Sequence, residues 1–263
     1  MARNALKNIS RLLDSVNKEM PVNEAFLFDL KKSIEKTADN ETRKPSQTYK
    51  PSSMKCIRNM YYQVSGATAD TEHSSYCTVG ICNSGTDTHI RIQSYIENMK
   101  DFGVDCEYID VADFVTQRGL TDIEIKEKSG METKLYDKIY NMSFMCDGII
   151  KYKNHYYILE IKTEASFKWQ KRINVDESHY NQGTAYSIAF NLPEIIFLYI
   201  NRDVMDIKAY LFIPTDEMKQ DLIGLITECD NYVSEHRVPP KHEDVPKRIC
   251  DYCNYKNLCK GEI

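Results

Sequence analysis

Apolar positions recur with helical period along two stretches near the start of the chain: Leu6, Ile9, Leu12, Leu13 and Val16, then Phe26, Leu27, Leu30 and Ile34. Helical structure is expected over about residues 2–36. Residues 37–53 are polar and carry Pro45 and Pro51, the signature of a linker or exposed loop. Ser52 and Ser53 are expected to cap a helix bearing Cys56, Arg58 and Tyr62. A further helix is expected over residues 83–100, with His89, Ile92, Ile96 and Met99 on one stripe.

From residue 104 to 162 the pattern becomes that of strands. Ile123 and Ile125 alternate with charges, Ser129-Gly130 marks a turn, and residues 144–152 read as a strand. Residues 156–162 follow after a Lys153-Asn154 turn, which predicts a hairpin. A helix over residues 178–191, strands over 194–200 and 207–213, and a helix over 216–236 started by Pro214-Thr215 complete the pattern. Pro239, Pro240 and Pro246 interrupt the approach to a cysteine-rich tail. The order predicts a mixed α/β fold. It divides into an N-terminal helical extension and linker over residues 1–50 and a main domain over residues 51–263.

A chain of 263 residues can bury a sizeable core. At 42% hydrophobic and 28% charged residues, collagen-like, coiled-coil and disordered classes are excluded. The longest clean apolar run, residues 195–200, is too short to span a bilayer, and no apolar segment follows Met1, so a soluble intracellular protein is expected, with no membrane partner. The net charge of −5 rules out a general basic coat, so any nucleic-acid contact must use a local patch. Lys168, Lys171 and Arg172, with Trp169 between them, form the best one.

The nine cysteines are an odd number, which argues against a disulfide framework. Cys250, Cys253 and Cys259 form a C-x2-C-x5-C cluster. Thiolates so close together repel and oxidise unless a soft cation holds them. Cys56 is the leading candidate for a fourth ligand, with Cys77 and Cys82 as competitors. Spacing alone leaves zinc, an iron–sulfur cluster and an unmetallated tail open.

Glu160 and Lys162 share one face of a strand while Ile161 takes the other. Asp147 lies on the preceding strand of the hairpin, so pairing can bring its carboxylate beside Glu160. Two carboxylates and an ammonium at one sheet edge make a hard-oxygen site for Mg²⁺ or Mn²⁺. His89 stands on an otherwise apolar stripe, and His179, Gln182 and Tyr186 fall on one face of the helix after the hairpin.

Taken in order, Cys56-x-Arg58, Gly85-x3-His89, Asp147, Glu160-x-Lys162, Gln182-x3-Tyr186 and the terminal C-x2-C-x5-C resemble the RecB-type nuclease domain of the PD-(D/E)XK superfamily, in its iron–sulfur branch. The resemblance covers residues 52–259. It implies a restriction-endonuclease-like core, a mixed central sheet flanked by helices, closed by a C-terminal cysteine-ligated iron–sulfur staple. It also implies that His89, Asp147, Glu160 and the backbone carbonyl of Ile161 bind Mg²⁺ or Mn²⁺, and that Lys162 positions the attacking water. Gln182 and Tyr186 would hold the lysine region and contact the strand, and Cys56, Cys250, Cys253 and Cys259 would ligate a [4Fe–4S] cluster, structural Zn²⁺ being the alternative. The implied activity is a divalent-metal-dependent DNA nuclease, preferentially an exonuclease on single-stranded ends, in replication, recombination, other DNA processing or CRISPR adaptation, in the cytoplasm of a prokaryotic or virus-infected cell.

The sequence departs from the family pattern in two places. Cys146 precedes Asp147 where the superfamily's name has proline, and Ser143-Phe144-Met145 stands where a glycine is usual. No G-x4-G-K-[ST] pattern occurs, so no fused ATP-driven helicase is expected within these residues. A non-catalytic DNA-binding or assembly subunit, and an iron–sulfur redox sensor, are the competing readings.

Overall fold

The computed structural model describes residues 21–39, 45–70, 75–129, 132–241 and 245–261. The first half of the predicted N-terminal helical region lies outside them. Compact packing divides the chain into two units, Met1–Thr42 with Glu72–Asn83, and Arg43–Thr71 with Ser84–Ile263. The boundary therefore falls ahead of residue 50, and residues 72–83 belong with the N-terminal unit.

In that first unit, α1 (Val22–Asp39) is the helix its periodicity predicts, although Phe26, Leu27 and Leu30 are exposed. Glu35 accepts a hydrogen bond from the backbone N–H of Tyr76, and Lys31 lies over the Tyr76 ring at 4.7 Å.

The second unit is built on a five-stranded sheet of order β1-β5-β6-β7-β8: Cys106–Ile109, Gly148–Tyr152, His155–Glu164, Ile195–Asn201 and Ile207–Phe212. Only β6 and β7 run parallel; the other neighbours are antiparallel. A separate antiparallel sheet holds β2 (Ile123–Ser129), β3 (Glu132–Asp137) and β4 (Met142–Phe144). The β5–β6 turn is Lys153-Asn154, both with positive φ, the conformation that two-residue hairpins require.

Alternation along β6 and β7 sorts the main core into two faces. Ile158, Ile195, Phe197 and Tyr199 point to one side, where α6 (Tyr180–Phe190) and α7 (Asp216–Ser234) contribute Ala185, Phe190, Leu222 and Ile226. Leu159, Ile161, Ile150 and Ile200 point to the other, against Ile92 and Ile96 of α3 (Tyr76–Glu97). Covered on both faces, β7 reads as an unbroken apolar run rather than an alternating one. The result is a mixed α/β fold whose central mixed sheet is flanked by helices.

Several sequence expectations change in detail. The predicted strand over 144–152 is two strands, because β4 leaves to pair with β3 and residues 145–147 form a break before β5. The strand-like stretch from 104 contains α4 (Val111–Gln117), capped by the Asp110 side chain, which accepts from the Asp113 N–H. The loop before residue 53 is anchored by the fully buried Tyr49, whose hydroxyl donates to Asp230 at 2.7 Å. Ser52 and Ser53 lie in a single 3-10 turn, and α2 (Ile57–Val64) starts instead with Cys56 at its cap position. Thr215 caps α7 as expected, accepting from the Met218 N–H at 3.2 Å. Among the described residues no helix is long and apolar enough to cross a membrane.

Candidate functional site

The break between β4 and β5 carries Asp147, and three elements hold it there. Gln93 of α3 and Tyr108 of β1 both donate to its backbone carbonyl, at 2.6 and 2.7 Å. The next residue, Gly148, has φ +155°, and a Cβ there would lie 2.6 Å from the Tyr108 ring. On the opposite side, Tyr186 of α6 donates to the Met145 carbonyl at 2.6 Å. Gln93 and Tyr108 are site residues that the sequence motifs did not single out. Gln93 stands one helical turn after His89, so the i,i+4 spacing was the available signal.

So placed, the Asp147 carboxylate has one oxygen 2.9 Å from His89 Nδ1 and accepts on the other from the Ile161 N–H at 2.6 Å. Ile161 thus meets Asp147 through its N–H, while its side chain packs into the second core. On the other face of β6, Glu160 Oε1 accepts from Lys162 Nζ at 2.5 Å and from Gln182 Nε2 at 2.7 Å. Lys162 also donates to Gln182 Oε1 at 2.9 Å, and Gln182 donates to the Tyr186 hydroxyl at 2.9 Å. The geometry therefore brings His89, Asp147, Glu160, Lys162, Gln182 and Tyr186 together from four elements. Tyr186 is 2% and Gln182 6% exposed, so neither has surface for a DNA strand; the expected strand contact is replaced by a purely internal role.

The electrostatics follow from burial. Removal from water, together with the Asp147 charge, pushes the Glu160 carboxyl up to about 7, against the opposing pull of Lys162 and His89. His89 is pushed down by burial, but its hydrogen bond to Asp147 and the surrounding negative charge outweigh this and raise it. Cys146, buried next to Asp147, is raised far out of the reactive range by desolvation, and is a packing thiol.

Among the described residues, no three His, Cys, Asp or Glu side chains converge as a ligand set around one point. The donor chemistry nevertheless fits a hard dication: two neighbouring carboxylates, one of them held up by desolvation and by the charge of the other, have their repulsion relieved by a shared cation.

The cysteine tail docks on α2. None of the nine cysteines forms a disulfide. Arg58 donates to Cys259 Sγ at 3.2 Å and Asn59 to Cys253 Sγ at 3.2 Å. The Cys253 sulfur also faces the Tyr255 N–H at 3.4 Å, and Arg58 is fixed by the Pro239 carbonyl at 2.9 Å. Tyr62 and Tyr255 pack with ring centroids 5.6 Å apart. Burial raises the Cys56 thiol, and the nearby Cys253 and Cys250 add to this, whereas the backbone amides of Asn59 and Arg58, directed at its sulfur, pull the other way. Cys250 and Cys253 therefore lie near Cys56, and Cys253 and Cys259 contact α2, although no three of these thiols converge as a ligand set among the described residues; Cys77 and Cys82 lie in the part of α3 that belongs to the N-terminal unit.

The expected basic patch is largely internal. Arg172 is buried, with Nε 2.7 Å from Glu164 Oε2 and Nη2 2.6 Å from Oε1, a further bond of 2.9 Å to Asp176, and the Tyr199 ring 4.1 Å away. It is a structural cation, not a phosphate contact. The Trp169 indole donates to the Tyr199 carbonyl at 2.9 Å and its ring carries Lys208 at 4.2 Å, so it is not a stacking platform. Lys168 bridges Glu164 and Asp176 but remains half exposed, and Lys171 is exposed.

No family model and no curated protein matches the chain. Among solved structures it is similar to one titled "Crystal structure of SSO0001", at 16% identity and a TM-score of 0.48, over 91% of this chain and 98% of that one.

Proposed function

We propose that the chain is a divalent-metal-dependent DNA nuclease of the RecB type, with the PD-(D/E)XK core of that family, acting on single-stranded ends. The observation that carries the reading is the meeting of His89, Asp147, Glu160 and Lys162, drawn from α3, the β4–β5 break and β6, at one end of the sheet. His89, Asp147 and Glu160 would hold the cation; when bound, it supplies Lewis-acid polarisation of a phosphate and a lowered water pKa. Lys162 is fixed by its hydrogen bonds to Glu160 and Gln182, and in this reading it orients a water and stabilises negative charge developing on the phosphate. Gln182 and Tyr186 set the rotamers of Lys162 and Glu160, and Gln93 with Tyr108 sets the backbone of Asp147.

In the same reading Cys56, Cys250, Cys253 and Cys259 would ligate an iron–sulfur cluster that closes a loop of almost two hundred residues. The chemistry of the donor set fits: thiol sulfurs already facing N–H donors from Arg58, Asn59 and Tyr255 suit an anionic cluster. Anaerobically purified protein is expected to be brown with broad visible absorbance; a colourless protein with one zinc per chain contradicts the cluster.

The nuclease reading is tested on end-labelled single-stranded DNA with Mg²⁺ or Mn²⁺. Wild type should degrade it and Lys162→Ala should not; equal degradation by the two proteins removes the catalytic assignment. The non-catalytic alternative predicts DNA binding with no metal-dependent cleavage by either.

A further inference from the structure

A cavity of about 280 Å³ opens beside Lys162, lined by Lys162, Glu164, Phe167, Lys168, His179 and Arg202. It lies where the carboxyl ends of the parallel strands β6 and β7 part, the position at which open α/β sheets take ligands. Because Lys162 belongs both to this cavity and to the proposed reaction centre, whatever fills the one adjoins the group reacting in the other.

The backbone of its walls is anchored. Phe167 lies on α5 (Ser166–Lys171), whose first residue is tied down through its N–H to Asp203 and its hydroxyl to Asn201. The Phe167 ring is nevertheless 71% exposed, an aromatic surface held at the mouth of a polar cavity. Arg202 is exposed at the end of β7, its backbone N–H bonded to the Glu164 carbonyl at 2.9 Å. The acid lining the cavity, Glu164, is neutralised from behind by the two-pronged contact with Arg172 and from the side by Lys168, so it does not repel an anion.

We propose that this cavity receives the nucleotide adjoining the scissile phosphate of single-stranded DNA, its base stacked on Phe167 and its phosphate paired with Arg202. The inference rests on the nuclease reading and adds to it a defined position for one nucleotide. An exposed ring and a guanidinium lining one cavity on anchored backbone are the pairing that single strands use: stacking tolerates any base, and the cation holds the backbone.

The test measures binding of the full chain to fluorescent oligonucleotides in EDTA, where no cleavage occurs, with one abasic position stepped along the strand. Phe167→Ala should weaken binding by about 5- to 150-fold, and Phe167→Trp should restore it. One abasic position should cost wild type the same factor and cost Phe167→Ala nothing. Arg202→Gln should reduce the slope of log affinity against log salt by about 0.7, the loss of one single-strand phosphate contact. Variants that bind like wild type, or an abasic penalty that persists in Phe167→Ala, overturn the inference; in that case metal-dependent cleavage abolished by Lys162→Ala leaves the nuclease reading standing. A wild-type chain that neither binds nor cleaves overturns both.

Discussion

Replacing Arg172 by methionine keeps the length of the side chain and removes its charge, and so asks whether this residue is a structural cation or a DNA contact. The guanidinium is 7% exposed and lies between Glu164, 4% exposed, and Asp176, 10% exposed. Deleting one member of such a buried group leaves uncompensated charge and costs about 3–5 kcal/mol. Lys168, at 2.9 and 3.3 Å from the same carboxylates, retains part of the attraction and puts the expected loss near the lower end, about 3 kcal/mol. That is a large share of an ordinary stability of roughly 5–15 kcal/mol. The loss should also depend on pH. In the wild type both carboxyls are held below their usual range, Asp176 chiefly by Ser178 and Arg172, and Glu164 by Arg172 and Lys168, against burial. Depressed carboxyls stabilise the fold above the unfolded range near 4 and lose that contribution as the pH falls through their folded values. In Arg172→Met they lose the Arg172 share of that depression and are protonated more readily, so the gap between variant and wild type should be widest at pH 7 and narrow below about pH 4. Urea unfolding followed by circular dichroism at pH 7 and pH 4 measures this. The triple variant Arg172→Met, Glu164→Gln, Asp176→Asn should recover most of the loss. A deficit under about 1 kcal/mol at pH 7, the scale of an exposed ion pair, together with weakened oligonucleotide binding, would refute the structural assignment and return Arg172 to the DNA surface.

Three further outcomes are expected. Gly148→Ala drives a methyl group into the Tyr108 ring, 2.6 Å from its nearest atom, at a φ of +155°; it should destabilise by about 2–4 kcal/mol and abolish cleavage by shifting Asp147, with a smaller stability loss in a Tyr108→Ala background. His179, stacked near Phe197 and Tyr199, is pushed down to about 3 by burial and by the Lys162 charge. The unfolded chain therefore takes up its proton first, wild-type stability should fall as pH drops from about 6.5 towards 3, and His179→Phe should flatten that part of the profile. Cys259→Ser should remove visible absorbance from anaerobically purified protein and lower its thermal midpoint, whereas Cys77→Ser should do neither.

The sequence made the hairpin and its face assignment legible for elementary reasons. Lys153-Asn154 marks a two-residue turn, period-two alternation puts Glu160 and Lys162 opposite Ile161, and Asp147 falls where pairing returns it to β6. Helical spacing likewise joins Gln182 to Tyr186. What could not be read is what tertiary contacts decide. The split of residues 144–152 arises because β4 closes a short hairpin on β3 while β5 pairs with β6, a change of sheet that a continuous apolar run does not mark, and the break ahead of Asp147 is held by Tyr186, which donates to the Met145 carbonyl. The Lys168-to-Arg172 run looked basic because the carboxylates that neutralise it sit four residues away on either side, at Glu164 and Asp176, and become its partners only once α5 folds against β7. The cap of α2 at Cys56 was masked by better capping residues upstream, at Ser52 and Ser53.

The central claim is that His89, Asp147 and Glu160 share one hard dication, and Mn²⁺ titration measures it most directly. Calorimetry with electron paramagnetic resonance should give at least one bound Mn²⁺ per chain in the wild type, lost or weakened by tenfold or more, about 1.4 kcal/mol, in both Asp147→Asn and Glu160→Gln while the fold is retained. Mn²⁺ bound equally well by wild type and both variants, or by none of them, contradicts the account.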